Sequence, residues 1–177
     1  MLGAWDVKVT VGAMPEKVAT AFAEATAALV VAEYTPIAYL GSQVVNGTNH
    51  AVLAEQLLVT GKDTKNVVLM IFNEKEMGCT LVNIERVVEG GEEFGGAKVD
   101  VNTELSAEAK VLFDAALADF VGSTVEPFAL LATQVVRGMD YIFAAEVTPV
   151  TENPVKKVAK VTINSEDKTV SFVDILN

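Results

Sequence analysis

The chain has 177 residues, of which 51% are hydrophobic, and it carries a formal net charge of −11. This length suits one medium domain or two small ones, and the composition supplies a sizeable core. The negative charge argues against nucleic acid and against an anionic membrane surface as partners. No apolar run approaches the ~20 residues that span a bilayer, so no membrane segment is predicted.

The ends and the cysteine content leave the cellular compartment open. The N-terminal stretch MLGAWDVK lacks a basic segment followed by an apolar core, so no secretory signal is predicted. The protein is therefore expected to be cytoplasmic, or secreted with its signal removed. Cys79 is the only cysteine, which excludes an internal disulfide.

The chain aligns with itself without a gap at a spacing of 91 residues. Phe22 meets Phe113 (113 − 22 = 91), and Pro36 meets Pro127 in the same register. The matching positions are mostly small or apolar, as a shared core requires. The period exceeds the ~20–50 residues of solenoid repeats, so it indicates a tandem duplication. We expect units at 1–90 and 91–177, joined by the Gly-rich segment 89–96.

The elements of unit 1 are predicted in the order β-α-β-β-β-β. Alternating valines predict a first strand at 6–11. Pro15 suits a first helical turn, and the apolar spacing then predicts a helix to about Glu33. Four further strands are predicted at 37–45, 48–60, 67–73 and 79–88.

Unit 2 repeats this order, with Ser106 as the predicted N-cap of its helix. Each helix carries one apolar stripe. A stripe and one sheet face are buried most simply when a helix packs on an antiparallel sheet. The pattern therefore predicts the α+β class.

One five-residue motif occurs twice, each time within a long apolar, alternating run that indicates a hairpin. Asn-Gly is a strong hairpin signal because both residues tolerate positive φ. Turns usually expose polar residues, so paired valines at a tip predict an apolar contact surface. The first copy is Gln43, Val44, Val45, Asn46 and Gly47, and the second is Gln134, Val135, Val136, Arg137 and Gly138.

The first copy is followed by Thr-Asn and the ring residue His50. With these residues the motif resembles the first inhibitory hairpin of the cystatin family, especially its stefin branch. Those proteins block papain-like cysteine proteases. The resemblance is best over 37–72 and 128–143. It implies two tandem cystatin-like units, each with one helix packed on a curved antiparallel sheet.

The resemblance also implies a function, namely reversible, tight-binding inhibition of papain-like cysteine proteases. Both motif copies would insert into the active-site cleft as hairpins. In the family, a trunk glycine and a second hairpin complete the wedge, and here Gly3 and the segment 74–78 match them. Unit 2 departs further from the pattern, because Glu166, Asp167 and Lys168 make its second hairpin polar.

Two alternative functions stay open. One is a non-inhibitory protein-binding or structural module on the same fold. The other is a double hot-dog-like enzyme, for which the repeated Glu55 and Glu146 supply candidate carboxylates. Cys79 and His50 match Val170 and Tyr141 in the repeat, so a catalytic dyad is not predicted.

The remaining expectations concern partners and cofactors. We expect no catalytic residues, no metal and no cofactor, and we expect papain-like cysteine proteases as partners. Hairpin-rich folds with exposed sheet edges exchange strands readily, so a domain-swapped homodimer stays open.

Overall fold

A computed structural model describes residues 3–60, 62–91 and 95–177 of the chain. Contacts divide the chain into unit 1, Met1–Glu89, and unit 2, Gly90–Asn177. Residues 92–94, in the middle of the expected linker, lie outside the described residues, as does Gly61 of the predicted turn after the third strand.

The described residues of unit 1 form five strands and one short helix. The strands form one antiparallel sheet in the order β1-β2-β3-β4-β5. Neighbours in sequence are neighbours in the sheet, as is usual for strands joined by short connections. The elements are β1 (Trp5–Val11), α1 (Glu16–Ala27), β2 (Ala32–Val45), β3 (Gly47–Leu58), β4 (Thr64–Lys75) and β5 (Gly78–Val88).

Unit 2 forms a second antiparallel sheet in the order β6-β7-β8-β9-β10. Its first strand is displaced by one residue relative to the repeat: Val7 pairs with Gly41 in unit 1, whereas Val99 pairs with Ala132 in unit 2 (99 − 7 = 92; 132 − 41 = 91). The sequence repeat has no gap, but the pairing of the first strand with its neighbour is shifted by one residue between the two units. The elements are β6 (Lys98–Asn102), α2 (Ala107–Ala116), β7 (Ser123–Val136), β8 (Gly138–Pro149), β9 (Lys157–Asn164) and β10 (Val170–Leu176).

The predicted α+β class of two cystatin-like units, each with a helix on a curved antiparallel sheet, is wrong. Strands hold 58% of the residues and helices 13%, so the chain is mostly β. α1 has 12 residues and α2 has 10. A helix of that length spans about 18 Å or less, whereas the 14 residues of β2 extend over about 46 Å. Neither helix is long enough to form a layer comparable with its sheet.

The helices are shorter than predicted because the chain enters the sheet earlier. The apolar stripe predicts a helix to about Glu33, but α1 ends at Ala27 and β2 begins at Ala32. Val30 and Val31 are β-branched, which favours extended backbone. The amide of Val59 donates to the carbonyl of Val31 at 3.1 Å. This long-range bond extends the β2–β3 pairing beyond the strand ends.

Each unit has an apolar cluster to which its short helix contributes. In unit 1 the rings of Phe22 and Phe72 lie 6.1 Å apart, and in unit 2 those of Phe113 and Phe143 lie 5.1 Å apart, edge to face. The predicted N-cap is confirmed, since the Ser106 hydroxyl accepts a hydrogen bond from the Ala109 amide at 3.1 Å. The unit 1 cluster holds Val18, Ala21, Phe22, Val52, Ala54, Val68, Met70 and Phe72.

Candidate functional site

The first Gln-Val-Val-Asn-Gly motif forms the tip of the β2–β3 hairpin. Val45 pairs with Gly47, which leaves Asn46 alone at the turn. Gly47 has a φ of +90°, and a Cβ on it would lie 2.4 Å from the carbonyl oxygen of Glu74. Asn46 does not share the positive φ that the Asn-Gly signal predicts. Gly47 is thus required both by the turn and by the close approach of β4.

The two valines of this tip are exposed to solvent. Val44 is 56% exposed and Val45 is 38% exposed. Successive side chains of a strand point to opposite faces, so one valine lies on each side of the narrow hairpin. The tip is therefore an apolar ridge that is free to contact another surface.

Two further segments lie beside this ridge. The Gly3 amide donates to the Val44 carbonyl at 3.1 Å, and the Gln43 side chain donates through Nε2 to the Gly3 carbonyl at 2.6 Å. Lys75 pairs with Gly78 across a two-residue turn between β4 and β5. Met77 in this turn is 99% exposed. The structure thus brings together the three segments singled out in unit 1: Gly3, the tip and the segment 74–78.

A ladder of side-chain amides, which sequence reasoning did not identify, connects the Gly3 segment with the tip. Asn49 donates through Nδ2 to Gln43 Oε1 at 3.1 Å. Asn73 donates through Nδ2 to Asn49 Oδ1 at 2.9 Å and to the Asn46 carbonyl at 3.3 Å. The only sequence signal for Asn73 is its match with Asn164 in the repeat.

Unit 2 builds a similar tip from the second motif, between β7 and β8. Val136 pairs with Gly138, which has a φ of +79°. Gln134 donates through Nε2 to the Gly95 carbonyl at 2.7 Å, and Val135 is 68% exposed. The Arg137 carbonyl accepts a hydrogen bond from Asn164 Nδ2 at 3.0 Å.

The turn beside the unit 2 tip is longer and charged. It spans 165–169, between β9 and β10. Asp167 accepts hydrogen bonds from the Thr169 amide at 3.0 Å and from its hydroxyl at 2.7 Å. These bonds, the backbone one first, hold the pKa of Asp167 below its ordinary value. Arg137 extends into solvent with Nε 3.9 Å from Glu166 Oε1. At the position that matches Met77 of unit 1, unit 2 presents Lys168 (168 − 77 = 91).

Both ring nitrogens of His50 are hydrogen-bonded to groups other than Cys79. The His50 ring is hydrogen-bonded at Nδ1 to the Tyr39 hydroxyl at 2.8 Å and at Nε2 to Glu74 Oε1 at 3.2 Å. Burial, and then the nearby Glu74 carboxylate, raise the pKa of the Cys79 thiol. An activated cysteine nucleophile has the opposite shift.

The repeated carboxylates form ion pairs rather than an acid–base pair. Glu55 Oε1 lies 3.6 Å from Lys65 Nζ, and Glu146 Oε1 lies 2.8 Å from Lys156 Nζ. The two lysines also match at 91 residues (156 − 65 = 91). Each unit therefore contains both members of this glutamate–lysine ion pair. The ion pair is sufficient to account for the two repeated carboxylates.

Across 3–60, 62–91 and 95–177, no group of three or more His, Cys, Asp or Glu is placed to bind a metal ion. In the same part of the chain, no helix has the length and apolar character needed to cross a membrane.

Comparison with protein-family profiles, with curated proteins and with solved structures returned no match.

Proposed function

We propose that the protein is a reversible, tight-binding inhibitor of papain-like cysteine proteases and that unit 1 carries most of this activity. The observation that carries the proposal is the exposed Val44–Val45 ridge on a glycine-turned hairpin. Gly3 is hydrogen-bonded to one side of this ridge, and the Met77 turn lies at the same end of the sheet. Three adjacent segments together form a wedge that suits a deep groove.

The apolar surface of the wedge supplies part of the binding free energy. Full burial of a valine or methionine side chain contributes about 1.5–3 kcal/mol. Scaled by the exposed fractions of Val44, Val45 and Met77, the three side chains together contribute roughly 4 kcal/mol. Association costs about 4–15 kcal/mol in lost freedom. Tight binding therefore also needs backbone hydrogen bonds and a wedge that is already ordered before binding.

The hairpin geometry favours blockade over cleavage. Val45 is paired with Gly47 across a single residue, and the Asn46 carbonyl is held by Asn73. A protease binds its substrate as an extended strand, with the main chain hydrogen-bonded along its length. The tip cannot extend in this way without breaking the hairpin. It therefore occupies the cleft without placing a cleavable bond at the catalytic cysteine.

Unit 2 is expected to inhibit more weakly. Its tip offers Gln134, Val135, Val136, Arg137 and Gly138, with similarly exposed valines. The adjoining turn carries Lys168 at the position of Met77 (168 − 77 = 91), so a charge that must lose water in a cleft replaces an apolar side chain. Removing an unpaired charge from water costs several kcal/mol.

The test is a titration of active papain with the full chain, in which residual peptidase activity is measured. We expect stoichiometric loss of activity at nanomolar concentration. Val45→Asp should weaken inhibition strongly, because it places a charge on the ridge, whereas the matched control Val136→Asp should have less effect. Full papain activity at about ten micromolar protein would refute inhibition. Equal losses from the two substitutions would refute the ranking of the units.

A further inference from the structure

The amide ladder of unit 1 is continuous from the N-terminal segment to the hairpin tip. Gln43 donates to the Gly3 carbonyl, Asn49 donates to Gln43, and Asn73 donates to Asn49 and to the tip carbonyl of Asn46. Gln43 and Asn49 each use the side-chain amide oxygen to accept from the next amide along. The ladder therefore crosses β2, β3 and β4 and ties two parts of the wedge together.

In unit 2 the same ladder is interrupted at one position. Asn49 corresponds to Asp140 (140 − 49 = 91). Asp140 still accepts a hydrogen bond from Asn164 Nδ2 at 2.9 Å. An ionised carboxylate has no hydrogen to donate, so it cannot donate to Gln134 Oε1 as Asn49 does to Gln43. Within 95–177, no hydrogen bond joins Gln134 to Asp140.

We propose that Asn49 is a positioning residue that joins the Gly3 segment and the Val44–Val45 ridge into one preorganised surface. We further propose that Asp140 disconnects the corresponding parts of unit 2, so the protease binds unit 1 more tightly than unit 2. This inference rests on the proposed function, which it deepens by assigning the difference in affinity between the units to a single amide-to-carboxylate difference.

The physical reason is the entropy of the N-terminal segment. Gly3 precedes β1 and lies outside the strands and helices, and such irregular segments are more mobile than the elements beside them unless they are held in place. It is held by its own bond to Val44 and by the Gln43 side chain. If Gln43 loses its bond from Asn49, its rotamer is freer, and the hold on Gly3 weakens. Ordering that segment would then oppose association, and the complex would dissociate faster.

The experiment exchanges the two residues in the full chain. Asn49→Asp removes the donor from unit 1, and Asp140→Asn supplies it to unit 2. Asn83→Asp is the matched control, because it adds the same charge at an exposed position of β5, away from the ladder. Circular dichroism establishes that each variant is folded. Papain titration gives the inhibition constant and the number of protease molecules bound per chain.

We expect Asn49→Asp to raise the inhibition constant about tenfold, as the loss of one hydrogen bond implies. Asn83→Asp should leave it unchanged. The wild type should bind one papain molecule tightly at unit 1 and a second more weakly at unit 2, and Asp140→Asn should tighten the weaker binding event. Equal inhibition constants for Asn49→Asp and Asn83→Asp, or two equivalent events in the wild type, would overturn the inference.

A second readout does not depend on any protease. Side-chain amide protons of Gln43 should exchange with solvent more slowly than those of Gln134, as measured by NMR. Asn49→Asp should speed the exchange of Gln43, and Asp140→Asn should slow that of Gln134. If the wild type leaves papain active, the proposed function fails, while these rates still decide whether the ladder is built as described. Unchanged rates in both variants would overturn the ladder itself.

Discussion

Replacement of Gly47 by alanine should destabilise unit 1 through two separable effects. The residue has a φ of +90°, and an L-residue in the left-handed region costs about 1–2 kcal/mol. The added Cβ would also lie 2.4 Å from the Glu74 carbonyl oxygen and 3.0 Å from Lys75 Cγ. The lysine side chain can move, but the backbone oxygen moves only with β4. Overpacking of this kind typically costs about 1–3 kcal/mol, so we expect a total loss of about 2–5 kcal/mol.

A control within the same unit separates the two effects. Gly12 has a φ of +80° and nothing within 4 Å of an added Cβ. Gly12→Ala should therefore cost only the backbone term, about 1–2 kcal/mol. Trp5 is the only tryptophan of the chain, and it pairs with Gln43 beside the tip. Its fluorescence during urea unfolding reports on unit 1 in both variants.

The difference between the two variants measures the close approach of β4 to the hairpin tip. If Gly47→Ala and Gly12→Ala lower the free energy of unfolding equally, the steric argument is refuted. The tip would then not be held against β4 as described, and the case for a rigid wedge would fail with it.

Three smaller predictions test other parts of the structure. Ser106→Ala removes the N-cap of α2 and should lower the free energy of unfolding by about 1 kcal/mol, measured by circular dichroism during urea unfolding; no change would contradict the capping bond. Cys79 should be alkylated by iodoacetamide at pH 8 more slowly than a cysteine in an unstructured peptide, because its pKa is raised by burial; an equal rate would contradict this. Asp167 should titrate below its ordinary value of 3.8, so its stabilising contribution is present above that value and is lost as the pH falls through the lower folded pKa. Thr169→Val removes the hydroxyl donor and should move this pKa part of the way back up in an NMR titration; an unmoved pKa would exclude the hydroxyl as a cause.

Local features of the fold were predictable from the sequence. Alternation of apolar residues is a local property of strands, and the predicted strand at 37–45 lies within β2. The Ser106 cap is local too, because the hydroxyl reaches an amide only three residues away. The 91-residue spacing likewise anticipated that the unit 2 tip would repeat the pairing of the unit 1 tip.

The class of the fold was not predictable in the same way. The apolar stripe of α1 continues past Ala27, so periodicity alone extends the helix. What ends it is the pairing of β2 with β3 and the bond between Val31 and Val59, which are 28 residues apart (59 − 31 = 28). Helix propensity is a weak preference that tertiary contacts override. The result is a mostly-β chain in place of the predicted α+β class.

The amide ladder depends on register as well as on composition. Asn49 and Asn73 are 24 residues apart and meet because β3 and β4 pair in one register. A shift of that register by one residue would turn one of the two side chains to the other face. The repeat marks Asn73 and Asn164 as equivalent, but it does not show what either side chain binds.

The motifs, the duplication and the glycine turns can therefore be read from the order of the residues, because each acts over a few positions or through simple repetition. The helix ends and the joining of Gly3 to the hairpin tip are set by contacts between residues far apart in the chain. The difference between Asn49 and Asp140 is visible in the sequence. Its structural consequence is that the ladder is continuous in unit 1 and interrupted in unit 2. This consequence follows from the strand pairing, which aligns donors with acceptors.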